Sequence, residues 1–144
     1  MPSSFRFLED IALADIAFEA EGDSPEELFR GATQALIETM ADPLTVTNSW
    51  NHHLTKTDEE LEALLFDWLS EMVYWKDAAG VVFHEAPLTV TWNQGKWTVS
   101  GTLAGAPVNS QTQELRNDVK GITKHLYRVG QEGSVWKARV VVDV

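Results

Sequence analysis

Apolar residues alternate with polar ones near both ends of the chain and fall at helical spacing in two stretches between. From Ala14 onward, Asp15, Ala17 and Glu19 alternate with Ile16, Phe18 and Ala20. That period of two predicts a strand with Ile16 and Phe18 inward and Asp15 on the other face. The stretch before it, from Phe5, also reads as extended. Ser24, Pro25 and Glu27 then form a helix start: an N-cap, a first-turn proline and the acid of a capping box. Leu28, Ala32, Ala35, Leu36 and Met40 make one apolar stripe, and Pro43 ends the helix. Residues 44–57, rich in threonine and valine, read as a strand. Thr57 and Glu60 suggest a second capping box. Leu61, Leu64, Leu65, Trp68 and Met72 form the stripe of a second helix that Gly80 stops.

The remainder is mostly strand. Residues 81–86 form one short segment. Residues 88–99 make a hairpin about "NQGK", with Leu88, Val90 and Trp92 on one face. Residues 104–117 read as a loop. Residues 118–129 and 134–144 form a second hairpin around "GQEG". Simple alternation puts Lys120, Ile122, Lys124, Leu126 and Arg128 on one face of the first of these strands. Its other face carries Val119, Gly121, Thr123, His125 and Tyr127. In the last strand, Trp136, Ala138, Val140, Val142 and Val144 share the core face. Val135, Lys137, Arg139, Val141 and Asp143 share the other.

The order is therefore β-α-β-α followed by about five mostly antiparallel strands. It predicts one α+β domain over residues 1–144, with two helices packed on one twisted sheet.

Composition narrows the function classes. The chain has no cysteine, which excludes disulfides and thiolate chemistry. It shows no signal peptide and no apolar run long enough for a membrane helix, so a cytoplasmic protein without a membrane role is expected. Its formal net charge of −11 argues against strong direct binding to nucleic acid and suits a cation or a basic protein partner. Solubility alone would also account for the acidity.

Candidate chemistry is sparse. There is no phosphate loop, dinucleotide fingerprint or zinc-protease motif. His52 and His53 are adjacent, so on a strand they point to opposite faces and make a poor shared metal site. Asp67 lies beside the apolar stripe of the second helix, with Glu60, Glu71 and Tyr74. It is either part of a solvated face or of a docking surface. Lys120, Lys124 and Arg128 either pair with acids across the sheet or serve a partner. Asp15 and Asp143 sit on outer faces of strands at opposite ends of the chain. If those strands are neighbours, the two carboxylates converge on a hard-cation site; if not, they are unrelated surface acids.

Four blocks carry a family resemblance: "ADIAFEAEG" with "SPEELF", "LEALLFDWLSEMVYWKDAAGVVFHEA", "VKGITKHLYRV" and "WKARVVVDV". In this order and at these separations the chain resembles the archease family over nearly its whole length. The resemblance implies a small α+β cofactor protein rather than an enzyme. The implied partner is the RtcB-type RNA ligase, which joins RNA ends in tRNA splicing and RNA repair. The cofactor would promote guanylylation of that ligase and its multiple turnover. The resemblance also implies a bound divalent metal, calcium first, with magnesium and manganese as alternatives. Asp15, Asp143 and an oxygen of Val144 fall at its ligand positions. The lysine of the family's Lys-x-x-Thr element falls on Lys120, followed by Thr123 and His125, a candidate for activating the partner; Asp67 joins these candidates from its place on the second helix. Ala12 and Leu13 depart from the family's Asp-His-Thr-Ala-Asp pattern, with Asp10 nearby in a shifted place. The competing readings are a chaperone-like adaptor for a different client protein and a hydrolytic metalloenzyme. The second lacks a visible general base or nucleophile.

Overall fold

A computed structural model describes residues 3–9 and 15–144. Asp10, Ala12 and Leu13 lie outside the described residues. Eight strands and two helices follow one another: β1 (Ser4–Leu8), β2 (Asp15–Gly22), α1 (Pro25–Met40), β3 (Trp50–Asp58), α2 (Leu61–Ala79), β4 (Val81–Glu85), β5 (Leu88–Asn93), β6 (Lys96–Pro107), β7 (Gly121–Glu132) and β8 (Val135–Asp143). A single 3-10 turn, Pro43–Thr45, follows α1. The α+β class is the one expected, but there is one more strand, and the strands divide between two sheets. One sheet has the order β1-β2-β8-β7. In the other, β6 is central and pairs with β3, β4 and β5. Every one of these pairings is antiparallel.

Both helices lie between the sheets. α1 touches β1, β2 and β8 on one side and β4 and β5 on the other; α2 touches β7 on one side and β3, β4 and β6 on the other. Leu28, Phe29, Ala32, Leu36, Ile37 and Met40 of α1 are buried, as are Leu64, Leu65, Trp68, Leu69 and Met72 of α2. A helix enclosed by two sheets needs small residues where backbones approach. A Cβ on Gly31 would stand 2.8 Å from the Ser4 carbonyl oxygen, so glycine lets α1 close on β1. A buried polar bond joins the helices: the Trp68 indole N–H donates to Thr33 Oγ1 at 2.9 Å.

Local signals succeed where the chemistry is local. Ser24 caps α1 by accepting from the Glu27 N–H at 3.1 Å. The Glu27 carboxylate accepts from the Ser3 N–H at 3.1 Å, tying β1 to the helix start. Gly80 ends α2 in the left-handed region, φ 64°. Gln94 and Gly95, at φ 51° and 80°, make the two-residue turn between β5 and β6. At α2 the expected box is not formed. Thr57 belongs to β3, Glu60 is the residue before the helix, and Asp58 Oδ1 accepts from the Glu60 N–H at 2.9 Å. The strand runs to the helix and leaves Thr57 no room to cap it.

Two further expectations give way to tertiary packing. The loop expected from residue 104 begins later, because β6 continues to Pro107. Its Ala104, Gly105 and Ala106 are buried, and a Cβ on Gly105 would collide with the Val82 carbonyl oxygen. Small residues there reflect the approach of β4, not a loop. Along β7, simple alternation fails. An irregularity between Thr123 and Arg128 gives β7 an odd number of extra residues relative to β8. The inward phase therefore flips: Ile122 packs on the core before it, Tyr127 and Val129 after it. Lys124, His125 and Leu126 are pushed out to solvent.

Candidate functional site

Antiparallel pairing of β2 with β8 sets Asp15 directly opposite Asp143. The register follows from burial. Phe18, Ala20, Ala138, Val140 and Val142 form a continuous buried face, so the acids take the outer one. Directly opposed residues have Cβ atoms about 4.5–5.5 Å apart, close enough for two carboxylates to share an ion or repel each other. On its other side β8 pairs with β7, where Gly121 stands opposite Asp143. The Lys120 N–H donates to the Asp143 carbonyl oxygen at 2.7 Å. Asp15, Lys120, Asp143 and Val144 thus meet at one end of the sheet. Asp143 and Lys120 are exposed there, and Asp15 and Val144 half-buried. Among the described residues, no group of three or more His, Cys, Asp or Glu is placed to hold a metal.

A cleft of about 440 Å³ opens beside Asp15, lined also by Phe7, Glu38, Arg116 and Asn117. The last two reach it from the loop after β6. The Arg116 guanidinium donates to the Glu38 carbonyl oxygen at 2.9 Å, and the Asn117 amide donates to that of Thr39 at 2.9 Å. Nothing in the local pattern of that loop marks these residues, since only the fold carries them to Asp15.

His125 and Asp67 stand next to a different feature, the outward bulge of β7. The His125 N–H donates to Thr123 Oγ1 at 2.9 Å. Leu126 holds φ 57°, a conformation bulky residues rarely adopt. Lys124 Nζ lies 4.0 Å over the Phe66 ring, so α2 receives this cation through an aromatic face rather than a carboxylate. Among the described residues, Lys120, Lys124 and Arg128 make no ion pair within 4.0 Å, so cross-strand pairing does not explain them. Tyr127 packs edge-on to Phe66 and donates to the Glu62 carbonyl oxygen at 2.6 Å. Burial first, and then the Glu62 charge, push its phenol well above the ordinary range. Asp67 is exposed, one residue from Phe66.

The histidines separate as alternation requires. His52 lies 3.9 Å from the Trp75 ring, centroid to centroid, while His53 Nδ1 meets Thr102 Oγ1 at 3.1 Å on the exposed side. His84 Nδ1 meets the Pro43 carbonyl at 2.9 Å. Among the described residues, no helix is long and apolar enough to cross a membrane.

Comparison with known proteins bears on the fold and the family. Protein archease of Methanosarcina mazei is 29% identical over 148 residues, covering 100% of each chain. Protein archease of Methanothermobacter thermautotrophicus is 30% identical over 131 residues, 91% of this chain and 93% of that one. The solution structure of Methanobacterium thermoautotrophicum protein 1598 has a TM-score of 0.80 at 29% identity, covering 98% of this chain and 99% of that one. A Thermotoga maritima crystal structure, described as an archease and possible chaperone, has a TM-score of 0.62 at 23% identity, covering 96% and 98%. That last likeness speaks for the fold alone. A model of the archease protein family matches residues 5–144, and the chain belongs to that family.

Proposed function

We propose that this chain is a protein activator of an RtcB-type RNA ligase, not itself a catalyst, and that it works with a bound divalent cation. The observation that carries the reading is the opposition of Asp15 and Asp143 across β2 and β8. Two like charges in that position oppose folding unless something neutralises them. Hard oxygen donors suit calcium, and magnesium or manganese as alternatives. The donor set fits in chemistry but is short in number. Two carboxylates must be completed by main-chain oxygen of Val144 and by water. The Asp143 carbonyl already accepts from the Lys120 N–H, which leaves Val144 the better main-chain donor.

When bound, the cation supplies positive charge that can screen phosphate at the partner's active site. The chain's own residues would orient it. β2 and β8 hold the two carboxylates in register, Lys120 lies beside them along the backbone, and His125 on the β7 bulge and Asp67 on α2 would be further contacts. A net charge of −11 suits docking on the basic groove of an RNA-handling enzyme. This activity belongs in the cytoplasm with the ligase.

The test is a ligation assay with the ligase below substrate concentration, with and without this protein. Faster guanylylation and multiple turnover are expected, and both should be lost in Asp143→Asn. No gain over ligase alone would overturn the reading. A pull-down that recovers other clients but no RNA ligase would replace it with the adaptor reading.

A further inference from the structure

Four side chains cross the outer face of the first sheet in one row: Arg6 on β1, Glu19 on β2, Arg139 on β8 and Arg128 on β7. Each stands directly opposite the next. The row therefore sets three guanidinium groups against one carboxylate, in a chain whose net charge is −11. Glu19 is already engaged, 2.9 Å from Arg6 and 3.6 Å from Arg139. Hydrogen bonding from Arg6 first, and then the cations around it, hold its carboxyl below the ordinary range. It stays charged and still leaves the row with excess positive charge. Arg128 has no ion-pair partner among the described residues, and Arg139 Nε is buried with no hydrogen-bond partner. Like charges set opposite one another destabilise a sheet, and an unpaired buried guanidinium N–H costs more.

The space between these arginines is concave. A cleft of about 280 Å³ is lined by Glu19, Arg128, Gly130, Glu132, Lys137 and Arg139. Lys137 is paired with Glu132 at 3.0 Å, so the arginines hold the uncompensated charge. Gly130 stands opposite Lys137, and a Cβ there would meet nothing within 4 Å. Packing does not require that glycine; its effect is to keep the floor of the cleft open. The volume is below that of most sites for drug-sized ligands and suits a small group. Paired planar guanidiniums match the oxygen spacing of phosphate.

We infer that the cleft between Arg128 and Arg139 is a binding site for a phosphate-class oxyanion, either free phosphate or the phosphate of an ester. The anion would accept from the Arg128 guanidinium and from the accessible end of the Arg139 guanidinium and relieve the repulsion between them. This site is separated along β8 from the Asp15–Asp143 pair, so it stands independently of the metal reading.

The experiment is a titration of the labelled protein with inorganic phosphate and with adenosine 5′-monophosphate, at constant ionic strength set by chloride. The arginine Nε–Hε signals are followed by NMR. A saturable shift at Arg139 is expected with at least one ligand. Tighter binding of the monophosphate ester points to an ester as the ligand, and equal or tighter binding of phosphate points to the free ion. Arg128→Gln, on an exposed side chain, should weaken binding about tenfold. Asp15→Asn should leave it unchanged, which separates this site from anion capture by a metal. The inference is overturned by a linear, unsaturable shift, or by Arg128→Gln binding as the unaltered chain does while its melting temperature shows it folded.

Discussion

Asp15 on β2 and Asp143 on β8 are cross-strand partners, brought face to face by the register of two strands whose inner faces are buried. Without a cation the pair is a local liability. Asp143→Asn should raise the stability of the metal-free protein by about 0.2–1 kcal/mol. The same change should abolish any rise in melting temperature on adding calcium or manganese, which the unaltered chain should show. Thermal melts with chelator and with each ion check both signs. Equal metal-induced shifts in the two proteins would remove Asp143 from the ligand set.

The Trp68–Thr33 bond joins α2 to α1 inside the core. Thr33→Val keeps the shape and removes the acceptor, leaving a buried indole N–H unsatisfied. The expected loss is about 1–3 kcal/mol in urea unfolding. Trp68→Phe in the Thr33→Val background should cost less than Trp68→Phe alone, and additive losses would show that the bond carries no coupling.

Lys76 is buried, with Nζ 2.6 Å from Asp118 and 2.8 Å from Asp77. Burial alone would lower its pKa, but hydrogen bonds to Asp118 and Asp77 outweigh it and raise the pKa above the ordinary 10.5. The Lys76 hydrogen bond, with its charge, holds Asp118 below the ordinary 3.8. The signs follow by linkage. Asp118's contribution is present above pH 3.8 and is lost as pH falls through its lowered folded value. Lys76's contribution is complete below pH 10.5 and is lost as pH rises through its raised one. The stability gap between the unaltered protein and Asp118→Asn should therefore be flat across neutral pH and close at the acid end. A gap that widens on acidification would contradict the pairing.

Leu126 holds φ 57° at the β7 bulge, with its side chain largely exposed. Left-handed backbone costs an ordinary residue roughly 1–2 kcal/mol, offset in glycine by about 0.5–1 kcal/mol of extra chain entropy. Leu126→Gly should thus stabilise the protein by up to about 1 kcal/mol, and Leu126→Val should destabilise it. Chemical denaturation of both variants tests the strain, which is absent if they shift in the same direction.

The elements that depend on neighbouring residues were legible in the chain. Ser24 and Pro25 start α1, Gly80 stops α2, and Ala138, Val140 and Val142 of β8 take the core face that alternation gives them. The outward placement of Asp15 and Asp143 follows from the same alternation. The archease resemblance singled out the same two acids, because the motif "WKARVVVDV" carries Asp143 with its strand.

Other features depend on what packs against what. The small residues of β6 read as loop until β4 is seen to press on Gly105. The β7 bulge cannot be read from alternation, because its extra residues have meaning only against the register of β8. The row Arg6–Glu19–Arg139–Arg128 draws one residue from each of four strands, so no local window holds it. By itself the sequence determined the helical periodicity, the cap of α1, the stop of α2 and which face Asp15 and Asp143 take, since these are settled within a few residues along the chain. The tertiary structure alone decided the two-sheet division, the pairing of Asp15 with Asp143 and the meeting of the arginines. Strand order and register are set by burying distant apolar faces together, and that free energy belongs to the assembled core rather than to any one segment.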